Sequence, residues 1–142
     1  MRALLDVNVL IALLDGNHVM HATARDWLAR NARTGWASCP LTQNGCIRVL
    51  SSPSYSHRLA VPTVAARLAE ACAHSLHEFW PDDVSILDTN RVDSSRIHGP
   101  RQLTDTYLLA LAVAHGGRLV TFDTAIAREA VRNARAQHLL TL

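Results

Sequence analysis

Apolar residues come in short dense blocks along this chain, and the polar residues between them set two different periods. The first block ends at Leu4-Leu5, is broken by Asp6 and Asn8, and resumes as Val9, Leu10, Leu13 and Leu14 at helical spacing. A continuous apolar run suits a short strand buried on both faces, and the later spacing suits a helix that Asp6 or Asn8 can cap. Asp15-Gly16-Asn17 reads as a turn, and a second helix is predicted over Val19–Arg33 with Ala22, Trp27 and Leu28 inward. Trp36–Cys39 is the second strand, and Pro40 opens a helix that runs to Leu50. Gly45 inside that helix costs roughly 1 kcal/mol relative to Ala, which points to close backbone packing. Ser51–Ala60 is a loop, and Val61-Pro62-Thr63 opens a helix with Val64, Leu68 and Cys72 on one face.

Val84–Leu87 is predicted as the third strand. Asp82 and Asp83 then precede it as solvated turn residues, at the wrong edge of a sheet for a site at the strand carboxyl ends. Leu103–His115 is a strongly apolar helix with Thr104 as its cap, Asp105 in its first turn and Gly116-Gly117 as its stop. Arg118–Asp123 is the fourth strand, Thr124–Ala134 a short helix, and His138–Leu140 a last edge strand. Strands alternating with helices predict an α/β fold: a short parallel sheet of four to five strands flanked by helices on both faces. A length of 142 residues, 49% of them apolar, fits one domain spanning the whole chain.

Composition adds little to that picture. The formal charge is +2, and every basic residue is arginine, since the chain has no lysine. Arginine suits phosphate recognition, but a GC-rich coding sequence enriches it equally. Cys39, Cys46 and Cys72 are odd in number and lack metal or redox spacing, so they read as reduced thiols. No secretory signal or membrane span is visible, which predicts a soluble, cytoplasmic protein without a membrane partner. His18 and His21 stand at i, i+3 without a matching carboxylate, and the Tyr55, His57, Arg58 loop reads equally as a nucleic-acid clamp or an ordinary connection.

The candidate chemistry is acidic. The first and fourth strands end in Asp6 and Asp123, and a helix begins with Asp105. In an α/β sheet, strand carboxyl ends and helix amino ends share one edge, so these three can converge. Two carboxylates ~4 Å apart repel by ~4 kcal/mol at an effective dielectric near 20, which a divalent cation would relieve. Oxygen-only ligands favour Mg²⁺ or Mn²⁺ over zinc. The competing reading is three separate helix caps.

Four segments in order carry a resemblance: Leu-Leu-Asp-Val-Asn-Val-Leu-Ile-Ala-Leu, Cys-Pro-Leu-Thr-Gln-Asn-Gly-Cys-Ile-Arg-Val-Leu, Leu-Thr-Asp-Thr-Tyr-Leu-Leu-Ala-Leu-Ala and Gly-Gly-Arg-Leu-Val-Thr-Phe-Asp. Together they resemble a PIN domain, and within that group the VapC toxins of bacterial toxin–antitoxin pairs. The resemblance implies a PIN-like fold and a metal-dependent endoribonuclease that inhibits translation. It also implies a VapB-type antitoxin partner and a homodimer. Asp6, Asp105 and Asp123 would hold Mg²⁺ or Mn²⁺, and attack by activated water would leave 5′-phosphate and 3′-hydroxyl ends. Asn8 and Thr121 match supporting polar residues. The second acid of the family, usually Glu, falls on Gln43, which would orient waters or the scissile phosphate. Arg48, Arg91, Arg96 and Arg101 are the RNA-backbone candidates, and an exposed tRNA or rRNA loop is the implied substrate. The rival from another class is a binding module that Gln43 has left catalytically weakened, and a third reading is a phosphatase or DNA-directed nuclease.

Overall fold

The central strand is β1 (Ala3–Leu5), whose three residues are all buried. A computed structural model describes all 142 residues. Around β1, strands β2 (Trp36–Ser38), β3 (His77–Phe79), β4 (Arg118–Thr121) and β5 (Leu139–Thr141) form a sheet in the order β3-β2-β1-β4-β5. All four pairings are parallel. The chain therefore grows outward from β1 on one side through β2 and β3, then returns to pair β4 on the other. The strand order reverses between β1 and β4, and open α/β sheets place their ligand crevice at the carboxyl ends of such a pair.

Helices cover both faces. α1 (Val7–Leu14), α2 (His21–Asn31), α3 (Pro40–Leu50) and α4 (Val61–Cys72) enclose one core built on Leu5, Val9, Leu10, Leu50 and Val64. α5 (Leu103–Ala114) encloses the second with Leu4, Trp80, Leu108, Leu111 and Leu119. α5 stops because Gly116 takes a φ of 66°, and the Gly117 and Gly116 amides close back on the Ala112 and Val113 carbonyls. The close packing expected at Gly45 is present: a Cβ there would lie 2.7 Å from Val7 Cγ2, so α1 and α3 meet where Gly45 has no side chain.

Several expected boundaries move, each for a local reason. The third strand is His77–Phe79 and not Val84–Leu87, which forms no strand. As an edge strand, β3 tolerates polar half-exposed residues that the apolar pattern overlooked, whereas Val84 is buried by packing on the α5 side. Asp82 and Asp83 accordingly follow a strand. Asp83 accepts a hydrogen bond from His115 at 2.9 Å, at the far end of α5. The Thr124–Ala134 helix is absent apart from one 3-10 turn at Arg128–Ala130. An antiparallel bridge between Val92 and Val131, with the Asp93 amide donating to the Ala130 carbonyl, draws that stretch out straight. β4 ends at Thr121, so Asp123 stands beyond it. The second helix is shorter than Val19–Arg33, and Thr104 does not cap α5, because a 3-10 turn at Pro100–Gln102 feeds directly into it. No helix is long and apolar enough to cross a membrane.

The α1–α3 contact gives a direct test. Gly45→Ala should destabilise the protein by ~1–3 kcal/mol despite the better helix propensity of Ala, because the stiff Val7 side chain cannot yield. In a Val7→Ala background the same change should become neutral or stabilising. Chemical denaturation of the four proteins measures the coupling, and additive effects would mean that the two helices do not meet there.

Candidate active site

Asp6 is the first residue past β1 and the N-cap of α1, where its side chain accepts from the Val7 amide at 2.7 Å. The residue is only 5% exposed. Its second oxygen accepts from the Thr121 hydroxyl at 2.6 Å, across the β1–β4 junction. Thr121 also accepts from the Asn8 side-chain amide at 3.3 Å and from the Asp123 backbone amide at 3.0 Å. Asn8 in turn accepts from the Phe122 amide at 3.3 Å. One buried hydroxyl thus links the ends of two strands, the start of a helix and the loop that carries Asp123. The cap reading of Asp6 holds, and the cap bond occupies only one of its two oxygens.

Asp105 comes from the opposite face, in the first turn of α5, and faces Asp6 and Asp123. Burial, followed by the charges of Asp6 and Asp123 and a hydrogen-bonding contact with Asp123, pushes its carboxyl up to about 7. Burial likewise raises Asp6, opposed by the Thr121 and Val7 hydrogen bonds and reinforced by the charge of Asp123. The Asp123 carboxylate accepts from the Ala125 amide at 2.7 Å, which folds the loop back on itself.

The structure separates the remaining candidates. Gln43 is not hydrogen-bonded to any of the three carboxylates. Its amide donates to Ser38 Oγ at 2.9 Å and approaches Cys72 Sγ at 3.9 Å, and Ser38 is paired with His77 Nε2 at 2.8 Å. Arg48 sits in the last turn of α3, at the end away from the site. Arg91 and Arg96 are paired with Asp88 and Asp93 at 3.3 and 3.4 Å. Arg101 is exposed in the turn that leads into α5, and of the four it stands nearest in sequence to Asp105. His18 and His21 go separate ways, to the Met20 amide and the Ala12 carbonyl. Tyr55 is taken up by a hydrogen bond to Asp15. Sequence reasoning missed the Ser38–His77 pair and Gln102. Gln102 carried no usable signal, because the sequence placed the helix cap at Thr104 and the N-cap position of Gln102 appears only in the structure.

A family model for the PIN domain matches residues 3–131. Ribonuclease VapC44 of Mycobacterium tuberculosis is 56% identical over 142 residues, 100% of each chain. The chain belongs to the VapC family of PIN-domain ribonucleases. A second VapC relative, ribonuclease VapC39 of M. tuberculosis, is 45% identical over 92% of this chain and 94% of its own. Two solved structures share the VapC fold at lower identity. M. tuberculosis VapC20, a sarcin–ricin loop cleaving toxin, superposes with a TM-score of 0.59 at 11% identity, covering 82% of this chain and 85% of its own. VapBC2 of Rickettsia felis, bound to a DNA fragment from its promoter, gives 0.58 at 14% identity, covering 87% and 89%.

The raised carboxyl of Asp105 has a thermodynamic consequence. The folded protein keeps a proton that the unfolded chain releases near pH 4, so this contribution to stability is lost as pH rises towards and through about 7. His77, whose pKa is lowered chiefly by burial, acts in the opposite sense, so comparison with a variant is needed to isolate Asp105. In EDTA, Asp105→Asn should melt above the wild type at pH 8, by roughly 3 °C or more, with the gap closing towards pH 4. Thermal unfolding across that range checks it, and a gap independent of pH would show the carboxylates to be uncoupled.

Proposed function

We propose that this VapC-family chain is a divalent-cation-dependent endoribonuclease toxin that cleaves an exposed loop of structured RNA. The observation that carries the reading is the convergence of Asp6, Asp105 and Asp123, close enough that burial and mutual repulsion push Asp105 up to about 7. That repulsion opposes folding, and acid groups retained against it suit a cation better than they suit three caps.

The donor set fits Mg²⁺ or Mn²⁺. It is oxygen-only, and although no three acidic, His or Cys side chains stand so as to hold an ion among them, Mg²⁺ commonly takes one or two carboxylates and keeps its waters. Such an ion, held by Asp6, Asp105 and Asp123, would supply charge neutralisation for a phosphoryl group and a more acidic water. The chain's own residues do the positioning. Thr121 fixes one oxygen of Asp6 and the Val7 amide fixes the other. Asn8 holds Thr121 and the Phe122 amide, which sets the direction of the loop bearing Asp123. Gln43 lies off this group, so any part it plays in orienting waters or phosphate would require movement from its place beside Ser38. Arg101 is the arginine best placed to meet the RNA backbone, with Arg48, Arg91 and Arg96 as more distant candidates.

The wider reading follows the relatives. The sarcin–ricin loop activity of VapC20 favours an rRNA or tRNA loop here, since exposed loops present splayed bases. VapBC2 supports a VapB-type antitoxin as the partner that holds this chain inactive, and cytoplasmic action as a homodimer is part of the same proposal. Gln43 supplies the specific observation behind the second reading, an RNA- or antitoxin-binding module, because it contributes neither a charge nor a contact to the acidic group.

Purified protein free of any antitoxin should cut total cellular RNA into discrete fragments with Mg²⁺ or Mn²⁺ and leave it intact in EDTA. Asp6→Asn, which keeps a capping side chain at that position, should retain the fold and lower cleavage at least a hundredfold. Full activity in a well-folded Asp6→Asn protein would sink the nuclease site. Metal-independent retention of RNA without cleavage would establish the binding module.

A further inference from the structure

Asp123 lies outside regular structure, two residues past the end of β4, whereas Asp105 is fixed in α5. Something must hold the loop against the helix if the two carboxylates are to keep their separation. The residue that spans the gap is Gln102, at the N-cap position of α5. Its side chain makes no capping bond. Instead its Oε1 accepts from the His98 amide at 2.8 Å, and its Nε2 donates to the Ala125 carbonyl at 3.3 Å. This assignment admits no flip, since one partner is an N–H and the other a C=O. Ala125 is also the residue whose amide holds the Asp123 carboxylate, at 2.7 Å. The path therefore runs from the amino end of α5 through the Gln102 amide to Ala125, and from Ala125 to the Asp123 side chain.

We infer that Gln102 is a positioning residue, which ties the loop bearing Asp123 to the start of the helix bearing Asp105 and so sets the spacing of the two carboxylates. The inference rests on the acidic site proposed above. Asn would be too short to span both partners. Glu keeps the acceptor for the His98 amide but has no hydrogen to give the Ala125 carbonyl, which makes it a selective probe of one arm. Gln102 is half-buried, so its replacement leaves the cores untouched.

Amide exchange at Ala125 and His98, measured by NMR on metal-free protein, reads the tie without reference to activity. Mn²⁺ binding, measured by the free-ion electron paramagnetic resonance signal, reads the site. In Gln102→Leu, the His98 amide, which loses its acceptor, should exchange about five-fold faster, and the Ala125 amide should also exchange faster, because the loop in which it is held by Asp123 loses its tie to the helix. Mn²⁺ should bind about five-fold more weakly, while amides in the middle of α5 stay unchanged. In Gln102→Glu, only Ala125 should loosen and Mn²⁺ binding should weaken, with His98 still protected. Unchanged Ala125 exchange in both variants would overturn the proposal, as would faster exchange with wild-type Mn²⁺ affinity. Wild-type protein that takes up no Mn²⁺ would overturn the cation reading itself, a result visible before any variant is made.

Discussion

A carboxylate at the end of a central, fully buried strand has to be solvated by the protein, and in this fold that requirement is met by one hydroxyl. Asp6 is almost out of reach of water, and Thr121 donates to it at 2.6 Å from the neighbouring strand. The bond is charge-assisted and buried, the kind whose removal leaves an uncompensated group. Its geometry demands that β1 and β4 be adjacent, parallel and in the observed register, with Leu5 beside Val120. The pair stands at the centre of the sheet order β3-β2-β1-β4-β5, and α5 packs on it from the second face.

The same arrangement sets a limit on stability. Thr121 and the Val7 amide each give one hydrogen bond to an oxygen of Asp6, yet they do nothing about the charges of Asp105 and Asp123 nearby. The strain appears on Asp105, whose burial and acidic neighbours Asp6 and Asp123 push its carboxyl up to about 7. A purely structural carboxylate in the first turn of a helix would be stabilised by the helix dipole and would sit low. Here burial and like charge outweigh that, so the site holds more negative charge than the fold by itself favours.

What the sequence disclosed follows from how local each cause is. β1, α3, α5 and β4 are written in apolar runs, proline and glycine, and their placement needs no knowledge of the partner. Asp6, Asp105 and Asp123 could be brought together on paper because strand ends and helix starts in a parallel sheet share an edge, whereas Asn8 and Thr121 were singled out only by the resemblance. β3 was not legible, because His77, Glu78 and Phe79 form an edge strand through backbone pairing with β2 and not through an apolar pattern. The extended course after Asp123 was not either. Thr124 to Ala134 has reasonable helix propensity, and a tertiary bridge from Val131 to Val92 overrides it. Gln102 was hidden for a further reason: its role depends on Ala125, a residue whose own side chain carries no chemical signal.

Gln43 shows how far a family pattern carries. The resemblance puts Gln43 at the position of an acid, yet its amide donates to Ser38, whose hydroxyl is engaged with His77. With the Gln43 amide donating to it, the Ser38 hydroxyl is free to give its own hydrogen to His77 Nε2 in the tautomer that carries the ring proton on Nδ1. A carboxylate in place of the amide has no hydrogen to give and would reverse the chain, with His77 Nε2–H donating to Ser38 and the Ser38 hydroxyl donating to the carboxylate. The amide is matched to its neighbours Ser38 and His77, and the departure from the family acid is built into the end of β2 as well as into α3. The negative charge of the site then falls to Asp6, Asp105 and Asp123 alone, and the placement of the one among them that lies on a loop becomes correspondingly more important.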